Sequence, residues 1–189
     1  MEDGNGPKAR LNEKTGSWET CGKPGPRTVD PVEHEVEIVG LLASPLHRYQ
    51  GRPKDGPVPF DGPESRESVT IKAGKGIVGD RFFNQQAHRL QSVTIIAIES
   101  LEAIGATEWA KTRRNIVLRG YPVDELRGVT FSLGGVRFTG HRPANPCAWM
   151  DEQLAPGAFA GLRTKGGIRL ETLSDGFLSR GKTTLLVEH

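Results

Sequence analysis

Apolar residues in this chain alternate with polar ones or form short runs, and this pattern predicts β-strands rather than long helices. The strand segments expected from it are 36–42, 69–72, 93–98, 115–118, 129–133, 136–139, 167–173 and 183–187. In the first of them the alternation shifts at Gly40. Gly134 and Gly135 separate two of these segments and supply the positive φ of a tight hairpin turn. About seven or eight short strands at hairpin-type spacing favour an antiparallel barrel or sandwich over a doubly wound sheet.

Helical periodicity is confined to a few short segments. An aliphatic residue recurs every three positions around 99–104 and predicts a helix there, while 123–126 is expected to form a single turn. A third helical segment, 150–162, is interrupted by Pro156. The predicted fold class is therefore mainly β with a few short helices, within the α+β group.

Residues 1–33 differ in composition from the rest of the chain, because they are rich in Gly, Pro and charged residues and poor in aliphatic ones. Such a segment buries too little apolar surface to offset the entropy that it would lose on ordering. We expect a flexible Gly/Pro-rich extension at 1–33 and a single domain at 34–189. Within the domain, 47–67 is interrupted by several Pro and Gly residues and is expected to be a long functional loop.

The charge balance is nearly even, with 25 Lys and Arg against 23 Asp and Glu and a formal net charge of +2. This balance argues against a broad nucleic-acid surface but permits a local anion pocket. The longest apolar runs are too short to cross a bilayer and the first residues lack a secretory signal, so we expect a cytoplasmic protein without membrane contact. Cys21 and Cys147 are then expected to be free thiols.

The segment 74–79 matches the dinucleotide-binding pattern G-x-G-x-x-G, and Glu99 follows about 20 residues later, where the ribose-binding acid would lie. The residues after this segment lack helical spacing, so a glycine-shaped turn is the preferred interpretation and a nucleotide site the alternative. In a further interpretation, the backbone N–H groups of the turn form an anion nest beside Lys75 and Arg81. The competing interpretation is that Asp80 and Arg81 pair with neighbouring groups.

Arg113, Arg114 and Asn115 precede a predicted strand. In an extended chain neighbouring side chains point to opposite faces, so at most one of the two arginines is expected to face a given pocket. Asn115 would return to the face of Arg113, and a guanidinium beside an amide suits a phosphate or a heterocycle. A solvated strand entry is at least as compatible with this spacing.

Cys147 ends the segment His141-Arg-Pro-Ala-Asn-Pro-Cys147, in which two prolines stiffen the approach to the thiol. Arg142, and His141 when protonated, would stabilise a thiolate if they lie close to it, as would a helix that begins just after it. A rigid cysteine suits a metal ligand or a nucleophile, and an inert buried thiol is the alternative. The scattered histidines lack the ligand spacing of a zinc site.

Taken in order, these motifs resemble the MOSC domain family over about residues 36 to 187. The motifs are Gly76 to Arg81, 93–96 with Glu99 to Glu102, Arg114 to Val117, Leu133-Gly134, Arg142 to Cys147, Gly166 to Arg169, Asp175-Gly176 and Gly181. Each is weak alone, whereas their joint order is fairly specific. The resemblance implies a stand-alone MOSC-type β-barrel of about seven mostly antiparallel strands.

The resemblance also implies an association with the molybdenum cofactor, with sulfur transfer and with metals bound to sulfur. The cysteine that matches Cys147 supplies a thiolate to molybdenum in cofactor-binding members, and soft thiolate ligation of such a metal is chemically reasonable. Matching basic residues would bind the pterin phosphate through charge-assisted hydrogen bonds. The residues expected to bind the cofactor are Arg81, Arg114, Asn115, Arg142 and Asn145.

Two departures from the family pattern predict an anion-binding site that is weaker or that is formed by different residues. Phe82 stands where many members carry His, and Ala144-Asn145 stands where they carry a second basic residue before the Pro-Cys pair. Both positions flank residues that the resemblance assigns to the cofactor.

The leading hypothesis is a molybdenum-cofactor-binding protein, either a small oxidoreductase that reduces N-hydroxylated compounds or a cofactor-handling factor. In a second hypothesis Cys147 carries a persulfide without a bound metal. In a third, the protein is a non-enzymatic module whose glycine-rich loop holds an anion and whose 47–67 loop contacts a partner protein. The expected partners are a small-molecule substrate or sulfur donor and a redox partner protein.

Overall fold

The computed structural model describes residues 9–11, 18–20 and 30–188. The chain separates into two units, Met1–Asp30 and Pro31–His189. In the first unit, strand β1 (Ala9–Leu11) pairs antiparallel with strand β2 (Trp18–Thr20). Most of the predicted extension lies outside the described residues, as does Cys21, so its flexibility and the state of that thiol stay predictions.

The second unit contains eleven described strands, three short α-helices and four 3-10 helices. The strands are β3 (Val32–Leu42), β4 (Ser65–Arg66), β5 (Ser68–Lys72), β6 (Gly76–Ile77), β7 (Val93–Ala97), β8 (Ile116–Arg119), β9 (Thr130–Leu133), β10 (Val136–Pro143), β11 (Ile168–Thr172), β12 (Gly176–Ser179) and β13 (Gly181–Glu188). The α-helices are α1 (Ile98–Glu102), α2 (Trp149–Gln153) and α3 (Ala158–Gly161). The 3-10 helices are Pro53–Asp55, Gln86–Gln91, Trp109–Thr112 and Val123–Leu126.

Seven strands close into a mixed barrel in the order β13, β9, β10, β11, β7, β8 and β3, and β3 pairs back to β13. Among these described strands the β7–β8 pair is parallel and the other pairs are antiparallel. Strand β4 extends the sheet beside β3, and β12, β5 and β6 form a separate three-stranded sheet. The predicted fold class, a barrel of about seven mostly antiparallel strands, is confirmed.

The apolar core has two parts, one inside the barrel and one outside the wall that β7 and β8 form. Along β7, Val93, Ile95 and Ala97 belong to the interior cluster. Ile96 points to the other face and packs in the second cluster with residues of α1, α2 and α3. Since both faces of β7 are covered, all five of its residues are buried, and Thr94 is its one polar residue.

A register shift between Ile38 and Gly40 interrupts the pairing of β3 with β8, at the position where the sequence predicts it. A Cβ atom on Gly40 would lie 2.7 Å from ring atoms of Trp109, so the indole occupies the space of the missing side chain. Strand β3 begins at Val32 rather than Val36, because β13 pairs with it as far as that residue.

The glycine-rich segment forms a turn, as the preferred interpretation predicts. Gly76 and Gly79 have φ values of 96° and 82°, and the next helical element is the 3-10 helix Gln86–Gln91. The dinucleotide fingerprint is therefore wrong. The N–H groups of Gly76, Val78 and Asp80 donate to protein oxygens, so they do not form an anion nest. Among the described residues, no helix is both long enough and apolar enough to cross a membrane.

Candidate functional site

Cys147 lies in the connection between β10 and α2, and its side chain is exposed. Two main-chain hydrogen bonds hold this connection. The N–H of Ala144 donates to the carbonyl of Gly167 at 2.8 Å, and the N–H of Met150 donates to the carbonyl of Cys147 at 2.9 Å. A Cβ on Gly166 would lie 2.8 Å from the Ala144 carbonyl oxygen. The close approach of the two segments therefore requires glycine at this position.

The thiol opens onto a cleft of about 220 Å³. The lining residues are His47, Arg48, Tyr49, Arg81, Phe82, Thr94, Thr112, Arg113, Arg114, Asn145, Cys147, Met150 and Arg169. Thr94 of β7 and Arg169 of β11 are register partners whose neighbours along each strand point into the barrel. The cleft therefore lies on the outer face of the barrel wall.

Arg113 and Arg114 both line the cleft, contrary to the prediction that at most one of them would do so. Arg113 follows the 3-10 helix Trp109–Thr112 and has a φ of 60°, in the left-handed region. Because the chain is not extended at this residue, the two side chains do not alternate between opposite faces.

The carboxylate of Glu64 anchors the long loop to the cleft. It lies 2.7 Å from Nη1 of Arg113 and 3.0 Å from Nη1 of Arg48, and it accepts a hydrogen bond from Oγ of Ser44. Burial raises the pKa of Glu64, but these hydrogen bonds outweigh burial and leave the pKa below its ordinary value. Two of the arginines in the cleft are therefore already paired with this acid.

Arg114 binds main-chain carbonyls rather than a carboxylate. Its Nε donates to Gly166 at 2.9 Å, its Nη2 donates to Ala144 and Asn145, and its Nη1 donates to Thr112 at 3.3 Å. Burial and the nearby charge of Arg169 lower the pKa of Arg114 to about 10, while the negative charge of a Cys147 thiolate acts in the opposite direction. Arg114 thus connects the Cys147 segment to the start of β11.

Arg81 is a cation of the cleft with few protein partners to offset its charge and accept its hydrogen bonds. Its Nε and Nη1 atoms are buried and have no hydrogen-bond partner among the described residues. The guanidinium lies 4.6 Å from the centre of the Phe82 ring. Burial lowers the pKa of Arg81, whereas the charge of Asp80 acts in the opposite direction. A buried guanidinium with free donors provides a strong site for an anion.

Asn115 does not line the cleft, because its side-chain amide is occupied by protein partners. Oδ1 accepts hydrogen bonds from the N–H and hydroxyl of Thr94 at 3.0 and 2.9 Å. Nδ2 donates to the Leu42 carbonyl at 3.0 Å and to Oδ2 of Asp80 at 3.1 Å. Asp80 in turn accepts from the N–H of Phe82 at 3.1 Å. Asn115 therefore acts on the cleft by supporting the turn that carries Arg81.

Arg142 and His141 point away from the thiol cleft, so the expectation that they stabilise a Cys147 thiolate does not hold. Arg142 donates to the side chain of Gln91, and His141 Nε2 lies 3.1 Å from Oε2 of Glu171. His141 and Arg142 line a different groove, which lies beside the 3-10 helix Gln86–Gln91. Of the expected cofactor-binding residues, the cleft brings together Arg81, Arg114 and Asn145 with Cys147.

Three residues of the site that belong to no motif in the sequence are His47, Arg48 and Tyr49, which come from the loop predicted to be functional. Burial, together with the charge of Arg81, lowers the pKa of His47, which favours a neutral imidazole. Tyr49 stacks on Trp149 at a centroid distance of 4.9 Å and donates its hydroxyl to the Lys111 carbonyl at 2.6 Å. The loop length was the one sequence signal for these residues.

The chemistry available in the cleft is that of a soft thiol beside several cations. In the part of the chain that the structure describes, no group of three or more His, Cys, Asp or Glu side chains is arranged to hold a metal ion. A metal in this cleft would therefore take Cys147 as its one thiolate ligand from the described residues and would need further ligands from a cofactor.

Comparison with solved structures identifies the same architecture elsewhere. The YuaD protein from Bacillus subtilis superposes with a TM-score of 0.61 at 14% identity, over 84% of this chain and 99% of YuaD. YiiM from Geobacillus stearothermophilus gives 0.53 at 16% identity, over 81% of this chain and 75% of YiiM. YiiM from Escherichia coli gives 0.52 at 14% identity, over 84% and 71% of the two chains.

The barrel of this chain is consistent with a MOSC-like fold. YuaD and YiiM are MOSC-domain proteins, and at these identities the likeness is one of fold. No family model matches the sequence, and a comparison with curated proteins gave no match. The MOSC-like fold agrees with the resemblance read from the motifs, while the roles of individual residues rest on the geometry of the cleft.

Proposed function

We propose that the protein binds the molybdenum cofactor in the Cys147 cleft, with Cys147 as a thiolate ligand of the metal. The observation that carries this proposal is the pair of buried, unpartnered donors on Arg81 beside an exposed thiol. A phosphate is the ligand that such a guanidinium suits best, since its oxygens accept charge-assisted hydrogen bonds. The cofactor carries both a phosphate and a metal that accepts soft sulfur ligands.

The charges in the cleft support the assignment of the phosphate to Arg81 and Arg169. Arg48 and Arg113 share the Glu64 carboxylate, and Arg114 donates hydrogen bonds to main-chain carbonyls. Arg169 has no acidic partner within 4.0 Å among the described residues, and burial with the charge of Arg142 lowers its pKa. Arg81 and Arg169 are therefore the cations left to bind the phosphate dianion.

The remaining residues position the thiol and shape the cleft. Arg114 holds the segment that carries Cys147, and Gly166 allows this segment to lie against the start of β11. Tyr49 lines the cleft, and its ring stacks on the buried ring of Trp149. When bound, the cofactor would supply two-electron redox chemistry, which suits a small oxidoreductase acting on N-hydroxylated compounds or a cofactor-handling factor.

The proposal is tested by the molybdenum and pterin content of protein purified from cofactor-producing cells. Wild type should contain both in equal amounts. Cys147→Ala should lose molybdenum because the thiolate ligand is removed. Arg81→Gln should lose both molybdenum and pterin because the phosphate of the cofactor is bound more weakly. Cys21→Ser is the matched control and should keep both. Wild type without molybdenum, or Cys147→Ala with normal molybdenum, would contradict the proposal.

A second candidate is a persulfide carrier, and the exposure of the Cys147 thiol favours it. An accessible thiolate attacks the outer sulfur of a donor persulfide, which transfers that sulfur to Cys147 and releases the donor as a thiolate. Mass spectrometry after incubation with a persulfide donor should then show one added sulfur on the peptide that contains Cys147 and none on the peptide that contains Cys21. An unmodified Cys147 peptide would remove this candidate.

A further inference from the structure

A second cavity adjoins the thiol cleft on the other side of Asn145. It has a volume of about 350 Å³, and its polar side chains are Asn145, Asp124, Arg127, Arg163 and Thr164. Asn145 lines both cavities and lies two residues before Cys147. Both cavities therefore adjoin the segment that carries the thiol.

Arg127 and Arg163 give the second cavity a positive charge. Both side chains are exposed, and neither makes a salt bridge or side-chain hydrogen bond with the described residues. Asp124 makes no salt bridge with either arginine within 4.0 Å among the described residues; burial raises the pKa of its carboxyl group, and the N–H of Gly167 acts in the opposite direction. The two guanidinium groups are therefore free to bind a ligand.

The two cavities together contain far more positive than negative charge. Seven arginines line them, whereas the carboxylates associated with them are those of Asp124 and Glu64. A Cys147 thiolate and the phosphate dianion of a cofactor would leave this region positively charged. A cleft lined by charges of one sign concentrates the electric field, and this field raises the association rate of an oppositely charged ligand.

We propose that the second cavity is a subsite for the anionic group of the substrate that reacts at Cys147. Arg127 and Arg163 bind that group, a carboxylate or a phosphate, and Asn145 lies at the junction between the subsite and the thiol. The subsite determines the substrate class: a small organic anion long enough to pass Asn145. This inference rests on the proposed function for its assignment of Cys147 as the reacting centre.

The experiment compares two aromatic disulfides of similar size in their reaction with Cys147. Dithiobis(nitrobenzoate) carries a carboxylate on each ring, and dithiodipyridine is neutral. Full-length protein with Cys21→Ser is used, so that Cys147 is the single thiol. The measured quantity is the ratio of the two second-order rates at low salt, in protein produced without the molybdenum cofactor. Dividing by the rate of the neutral reagent removes any change in thiol reactivity or exposure.

Replacing both arginines, Arg127→Gln with Arg163→Gln, should lower this ratio about threefold to tenfold, because the association rate of the anionic reagent falls while that of the neutral one does not. Added salt should lower the wild-type ratio towards that of the variant. Lys182→Gln removes an exposed charge on β13 that lines neither cavity and should leave the ratio unchanged.

A ratio in the double variant equal to that of wild type would overturn the subsite, since the cations around the thiol alone would then account for the preference. An equal fall in the Lys182→Gln control would also overturn it, because net charge rather than position would be responsible. Both measurements use protein without the metal, so a result against the subsite would leave the cofactor proposal untouched, and the reverse also holds.

Discussion

Asp80→Asn is the substitution that most directly tests how the cleft is supported. Asp80 is 5% exposed and accepts three hydrogen bonds. Its Oδ2 receives the N–H of Ser44 at 3.2 Å and Nδ2 of Asn115 at 3.1 Å, and its Oδ1 receives the N–H of Phe82 at 3.1 Å. These contacts connect β3, β8 and the turn that carries Arg81. The substitution keeps the shape of the side chain and changes its charge and hydrogen-bonding capacity.

An asparagine side chain has one acceptor oxygen, whereas donors surround both oxygens of Asp80. With the asparagine oxygen placed towards Ser44 and Asn115, the new NH2 group faces the N–H of Phe82. One hydrogen bond is lost, two donors oppose each other, and the other two bonds lose their charge assistance. A hydrogen bond to a charged group contributes about 1.5–3 kcal/mol, so we expect a loss of about 2–3 kcal/mol in the free energy of unfolding.

Chemical denaturation and thermal melting followed by circular dichroism measure this loss. For a domain of this size, about 2–3 kcal/mol corresponds to a decrease in Tm of about 5–10 °C. Asp61→Asn is the matched control, because that side chain is exposed in the long loop and the structure shows no polar partner for it among the described residues; it should leave Tm unchanged. Equal stability of the two variants would refute the assignment of Asp80 as a buried acceptor of three hydrogen bonds.

Other substitutions test the loop anchor and the close backbone contacts. Gly166→Ala should displace the Cys147 segment and cost about 1–3 kcal/mol in unfolding free energy, as well as changing the alkylation rate of the thiol. Gly40→Ala should destabilise by a similar amount in denaturant melts, because its Cβ would overlap the Trp109 ring. Folding lowers the pKa of Glu64, so its stabilising effect is present above its ordinary value of 4.5 and is lost as pH falls through the lower folded value. Thermal melts of Glu64→Gln should therefore show lower stability than wild type at neutral pH and a smaller loss of stability as pH falls below 4.5.

The strands were predictable because their patterns are local. The run in β7, the hairpin turn at Gly134 and Gly135, and the shift at Gly40 each depend on neighbouring residues and were placed within a few positions. Strand β12 was missed, because its exposed Phe177 stands where a polar residue would mark the outer face. The closing pair β3–β13 joins the two ends of the domain, which no local pattern encodes.

The cleft was less predictable, and the errors have a common cause. Arg113 was expected to alternate with Arg114, but its left-handed φ is set by the 3-10 helix before it. Arg142 is the second-last residue of β10, and its side chain donates to Gln91 of the 3-10 helix rather than facing the thiol. Arg169 stood in a family motif, yet its place in the cleft depends on the register of β11 with β7. Side-chain direction depends on strand register and turn geometry, neither of which is a property of a short segment.

The sequence by itself determined the mainly β fold class, the glycine-shaped turn before Arg81 and the choice of Cys147 as the candidate centre. The spacing of apolar residues, the glycines of a turn and the stiff Pro-Ala-Asn-Pro segment before Cys147 each involve only a few neighbouring residues. They can therefore be recognised without knowledge of the fold. Only the tertiary structure decided which cations surround the thiol, which of them are already paired, and that a second basic cavity adjoins the cleft. These are questions of distance between segments far apart in the chain, and closure of the barrel sets those distances.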